Sequence, residues 1–87
     1  MKIHIPGSRS LKDKRSVVKS LVTRLQKQFN LSIAEVDDQD LWQMATIGLA
    51  CVSNHHNRVD EVISAAISLI ERDYPTIEIV GKEIETY

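Results

Sequence analysis

The run Ser10-Leu11-Lys12-Asp13-Lys14-Arg15-Ser16-Val17-Val18-Lys19-Ser20-Leu21-Val22-Thr23-Arg24-Leu25-Gln26-Lys27-Gln28-Phe29-Asn30 decides the fold. Leu11, Val18, Leu21, Val22, Leu25 and Phe29 recur at three- and four-residue steps, which places them on one face of a helix of about five turns. Ser10 starts it. The Ser10 hydroxyl can accept from a free backbone N–H, and the Asp13 carboxylate, in the place usually held by Glu or Gln, can reach back to the Ser10 N–H. Asn30 is a C-terminal stop. An apolar stripe this long must be covered by a second layer, and the flanking sequence supplies strands.

Upstream, Ile3 and Ile5 alternate with Lys2 and His4, so residues 2–5 predict a short strand that Pro6-Gly7 breaks. Downstream, residues 31–36 alternate and are partly β-branched, predicting a second strand. Asp37-Asp38-Gln39-Asp40 predicts a turn, because such side chains bond nearby backbone. A third strand is expected from Trp42 to Ser53. Gln43, Ala45, Ile47, Leu49 and Cys51 fall on one of its faces; Trp42, Met44, Thr46, Gly48, Ala50 and Val52 fall on the other. Both faces are apolar or small, which suits a central strand. A second helix follows, capped by Ser53 or Asn54, with Asp60 and Glu61 near its start. Its apolar face is Val59, Val62, Ile63, Ala66, Ile67 and Ile70, and Pro75 ends it. Residues 76–86 predict a last strand whose alternation shifts phase between Gly81 and Ile84, the mark of a bulge. The order βαββαβ predicts an α+β two-layer sandwich, with both helices on one face of an antiparallel sheet. The first strand belongs in the centre of that sheet and is short for the place.

Eighty-seven residues with no linker or repeat imply one domain over residues 1–87. A core this small encloses no deep cavity, which weighs against an enzyme working alone. No nucleophile–base pair, phosphate loop or cofactor motif is present, so no catalysis and no cofactor are expected. The single cysteine, Cys51, allows no internal disulfide and reads as a small buried apolar residue. No apolar run approaches the roughly 20 residues of a membrane span, and residues 1–6 lack a signal peptide's apolar stretch. A cytoplasmic location is expected.

The net charge of −1 conceals a steep asymmetry. Residues 1–28 hold eight basic residues against Asp13 alone; residues 29–87 hold three against eleven acids. Two halves of this kind either attract each other or mark a contact with nucleic acid. Arg9, Lys12, Lys14, Arg15 and Lys19 gather at the start of the first helix and are the candidates for an anion or RNA site. Free backbone N–H groups there also favour anions, while the helix dipole makes cations unfavourable. Lys12, Arg15 and Lys19 lie along one side, with Lys27 nearby. The bland alternative is a solvated charged face balanced by the later acids.

Lys14 also has a reading of its own. It lines up with Val18, Leu21 and Leu25 at the end of the apolar face, so it must snorkel or find a carboxylate. Glu35 and Asp37 are the candidates for a structural ion pair. Glu35, Asp37, Asp38 and Asp40 supply oxygen ligands of the type Mg²⁺ or Ca²⁺ takes, but their spacing lacks the Gly and distal Glu of a calcium loop. Turn formation and pairing with lysine are the ordinary reading. His55 and His56, about 100° apart on a helix, do not readily share a metal. No metal site is expected. Trp42 is either core or a platform for a base or a partner. The few aromatic residues argue against base stacking across the open sheet, so any RNA is expected to be held by backbone charge and shape.

Ile5 to Arg15, Ala34-Glu35-Val36-Asp37, Gln39-Asp40-Leu41-Trp42-Gln43 and Val52-Ser53-Asn54 together resemble the YlxP-like family of small bacterial proteins, a domain of unknown function. The resemblance spans nearly the whole chain, and Ser10 to Arg15 and Asp40 to Gln43 are its most specific parts. It implies a ferredoxin-like fold and no established activity. Family genes lie, in several bacteria, beside those for translation initiation factor two and ribosome-binding factor A, which implies a ribosome or RNA association. Members usually carry several residues ahead of the Ile5-Pro6 pair, so either the start is internal or truncated, or the sheet is completed differently. A homo-oligomeric interaction module, pairing through the open sheet and its edges without any nucleic-acid role, is the rival reading.

Overall fold

The structure is a computed structural model that describes residues 1–52 and 56–83. Its elements run β1 (Lys2–His4), α1 (Leu11–Gln28), β2 (Ser32–Asp37), β3 (Met44–Ala50), α2 (His56–Asp73) and β4 (Glu78–Gly81). The four strands form one antiparallel sheet in the order β2-β3-β1-β4. That is the ferredoxin-like arrangement of an α+β sandwich.

β1 lies in the sheet centre and pairs on both sides, with Ile3 opposite Ala45 of β3 and Ile79 of β4. Its ladder to β3 is longer than its three residues. The Met1 amine donates to Ile47 O at 2.9 Å, Ile47 N donates to Met1 O at 2.7 Å, and Ile5 N donates to Gln43 O at 2.7 Å. The pairing of this short central strand with β3 thereby extends from Met1 to Ile5, which gives more of its buried backbone a partner.

β3 begins at Met44 and ends at Ala50, shorter than the expected span from Trp42 to Ser53. At its start the chain bends at Trp42 and Gln43, where the Gln43 side-chain amide bonds the segment before α1. At its end, pairing with β2 stops at Ser32 opposite Ala50. β4 is also shorter than expected, since Ile77 N bonds back to Tyr74 O in a turn after α2. The irregularity in the β1–β4 ladder falls between the pairs Lys2–Gly81 and Ile3–Ile79, so Val80 is the extra residue. A second irregularity places Val36 between the pairs Glu35–Ile47 and Asp37–Thr46. The Ser53 or Asn54 cap of α2, His55 and residues 84–86 of the expected last strand lie outside the described residues.

The helix-facing side of the sheet buries Ile3, Ile33, Ala45 and Ile47 against Val18, Leu21 and Leu25 of α1 and Ala66, Leu69 and Ile70 of α2. Burying each large aliphatic side chain contributes about 1.5–3 kcal/mol. Leu11, Val22 and Phe29, which share the expected α1 face, are only half-buried. α2 is packed unevenly. Ala66 and Ile70 are buried, while Val59, Val62, Ile63 and Ile67 are half-buried. Val59, Ile63 and Ile67 line an apolar groove of about 580 Å³ with Leu49 and Cys51. Cys51 is therefore a half-buried groove residue and not the fully buried one its type suggested. No described helix is long and apolar enough to cross a membrane.

Candidate functional site

The start of α1 is built by its cap. Ser10 is extended (φ −161°, ψ 167°), and its hydroxyl accepts from Asp13 N at 3.1 Å. The Asp13 carboxylate reaches one residue further back than expected and accepts from Arg9 N, also at 3.1 Å. The only acid of the first 28 residues is thus engaged with backbone at the cap. Replacing such a cap serine by alanine typically costs about 1 kcal/mol of helix stability.

Lys14 leaves the group of anion-binding candidates. Its side chain is 0% exposed. Nζ donates to the carbonyls of Asp38 at 2.7 Å, Gln39 at 3.1 Å and Met44 at 3.2 Å. An ammonium has three N–H groups, and all three are used. Glu35 Oε2 stands 2.9 Å from Nζ as a counter-ion, yet it has no hydrogen-bond donor of its own. The cause is positional. Lys14 stands on the helix face that Val18, Leu21 and Leu25 bury, so it cannot reach water. It pins the 38–44 turn to the first turns of α1.

The other cations at this end stay in water. Arg9, Lys12, Arg15 and Lys19 are exposed. Among the described residues, none of the four has a carboxylate within ion-pair distance, and neither has the exposed Lys27. Lys12, Arg15 and Lys19 are three and four residues apart, so they line one side of the helix at one-turn intervals. Four of the described later acids pair with other cations. Asp73 holds Arg24 and Arg72, and Arg24 also lies over the Tyr74 ring at 5.9 Å. Glu78 faces His4 at 3.2 Å. Glu35 faces Lys14, and Asp38 faces Lys2 at 3.6 Å.

The acidic turn is likewise divided among local tasks. Asp37 Oδ1 accepts from Asp38 N at 2.8 Å. Asp38 adopts φ 63°, a left-handed conformation that Asp tolerates better than most residues. Its carboxylate accepts from the Thr46 hydroxyl at 2.6 Å. Asp40 is exposed. Among the described residues no three His, Cys, Asp or Glu side chains converge as metal ligands would. Two residues of this network, Thr46 and Gln43, have roles that the sequence pattern of a strand does not signal. Gln43 donates through Nε2 to Pro6 O and Ser8 O, at 3.1 Å each, and so ties the 38–44 turn to the segment leading into α1. An amide in a strand pattern carries no signal of that kind.

The Thr46 hydroxyl, aided by the Lys2 and Lys14 charges, holds the Asp38 carboxyl below its ordinary range against the opposing effect of desolvation. A depressed carboxylate adds stability that is fully present above its unfolded value of 3.8 and is lost as pH falls through the lower folded value. Thr46→Val removes the main cause while keeping the side-chain shape. Thermal unfolding from pH 6 down to pH 2 should show a shallower acid decline for this variant than for the parent. Superimposable profiles would remove Asp38 from the account.

The family model described as "Protein of unknown function (DUF503)" matches residues 1–84. The chain belongs to this family. It is also similar to "Uncharacterized protein YlxP" of Bacillus subtilis (strain 168), with 39% identity over 69 residues, covering 79% of this chain and 74% of that protein. Within this member of the DUF503 family, the two most specific stretches of the resemblance fall together in space. The segment around Ser10 to Arg15 and the segment around Asp40 to Gln43 are joined by the Lys14 and Gln43 bonds.

Proposed function

We propose that the protein is a cytoplasmic RNA-binding module, acting at the ribosome or on RNA, that holds phosphates on the exposed side of α1. The observation that carries this reading is the row Lys12, Arg15 and Lys19, with Arg9 beside it, left without carboxylate partners among the described residues while Glu35, Asp38, Asp73 and Glu78 pair with other cations. Arg9 and Lys12 sit at the positive end of α1, and Arg15 and Lys19 continue the row along the helix, so these cations repel one another and the first two also oppose the dipole. A bound polyanion relieves that repulsion. The role is binding and not catalysis, since the lysine buried nearby has every donor occupied.

Backbone contacts make affinity depend steeply on salt. Three to four phosphate contacts on a single strand give a log–log slope of about −2 to −3, so affinity should fall about 100-fold between 50 and 300 mM salt. Fluorescence anisotropy with a labelled single-stranded RNA measures it. Equal binding at both salt concentrations would count against the proposal.

The second reading is self-association through the open sheet and its edges, where Val36 of β2 and Val80 of β4 are exposed. Apolar contacts persist in salt, so oligomers seen by light scattering at 300 mM would favour it.

A further inference from the structure

Trp42 is the only tryptophan of the chain, and it stays 57% exposed. That removes it from the core. It precedes β3 on a turn held from two sides. Beneath, Lys14 Nζ gathers the carbonyls of Asp38, Gln39 and Met44. Beside it, the Gln43 amide bonds the carbonyls of Pro6 and Ser8, and Gln43 O accepts from Ile5 N. Gln43 follows Trp42, and Arg9 follows Ser8. Trp42 and Arg9, both exposed, therefore flank the two segments that the Gln43 amide joins.

An exposed indole on a braced turn is a costly surface feature with a ready use. Every base has a π-face, and single strands are held by a positive surface combined with aromatic stacking platforms. We propose that Trp42 is a base-stacking platform, and that the nucleic acid this end of the molecule takes is a single strand: its phosphates lie on Arg9 and the α1 cations while one unpaired base stacks on the indole. The proposal rests on the phosphate-binding reading above and adds the class of RNA to it. It departs from recognition by charge and shape alone. The stacking surface is a single residue on a turn, away from the central strands that carry such aromatics in an RNA-recognition sheet. A duplex would meet the same cations but would keep its bases stacked on one another.

Because the chain has one tryptophan, its emission reports on Trp42 alone. Titration with an oligouridine 12-mer should quench that emission to saturation. Trp42→Ala should bind the same strand, followed by anisotropy, about 10-fold more weakly, and Trp42→Phe should recover most of the loss. An RNA duplex of equal length should bind the parent and Trp42→Ala alike and leave the emission unchanged. If the single strand binds without quenching and Trp42→Ala binds it as tightly as the parent, the platform is refuted while the phosphate reading stands. Trp42 then serves another partner. If neither RNA binds, the phosphate reading fails and takes the platform with it. The quenching arm needs no variant, so the proposal does not depend on Trp42→Ala folding.

Discussion

Lys14→Met should lower the unfolding free energy by about 3–5 kcal/mol, the usual result of removing one partner from a buried ion pair. Methionine nearly keeps the volume and the apolar stem, so the loss is not one of packing. What disappears is the charge and its three donors. The carbonyls of Asp38, Gln39 and Met44 lose the N–H groups they now share, and Glu35 is left charged with no counter-ion. A domain of this size has a total stability of about 4–13 kcal/mol, so the variant should approach the unfolding threshold. Adding Glu35→Gln should recover part of the loss by removing the stranded charge. Urea denaturation of the parent, the single and the double variant measures both effects. A loss under about 1 kcal/mol would mean that Lys14 does not brace the turn.

Lys12→Glu combined with Arg15→Glu should weaken RNA binding by at least about 100-fold near 100 mM salt, since each charged hydrogen bond contributes about 1.5–3 kcal/mol. The log–log salt slope should become less steep by about one unit for each side chain replaced. Stability should move the other way. Acids near a helix N-terminus are favourable by about 0.3–1 kcal/mol and cations are not, so the doubly reversed chain should unfold at the same urea concentration or a higher one. Together these results distinguish a surface kept for binding from one kept for folding. Unchanged binding in a folded variant would leave the row as a solvated face.

The architecture was legible because its signals are periodic. The α1 stripe, the α2 stripe and the alternation around β3 each specify an element and its buried side, and only one simple topology covers all of them. Element ends were less legible. At the bend before β3 the Gln43 amide reaches a carbonyl 35 residues away, a bond that no local pattern encodes. The site was half legible. Spacing put Lys14 on the apolar line and named Glu35 as a partner, yet the same residue was also grouped with the surface cations, because clustering in sequence says nothing of which way each side chain points. Helix geometry separates them: Lys14 falls with Val18 and Leu21, and Lys12, Arg15 and Lys19 fall on another side. Whether the acidic half neutralises that row is a question of long-range pairing. The structure alone showed Asp73 going to Arg24, Asp38 to Lys2 and Glu78 to His4.

Co-sedimentation with ribosomal subunits over a salt series, for the parent and for the Lys12→Glu, Arg15→Glu chain side by side, puts the greatest strain on the idea of a phosphate-holding helix face. The parent should pellet with subunits at 50 mM salt and be released by 300 mM, and the reversed chain should stay in the supernatant throughout. Pelleting of both chains to the same extent, or of neither at 50 mM, would contradict it.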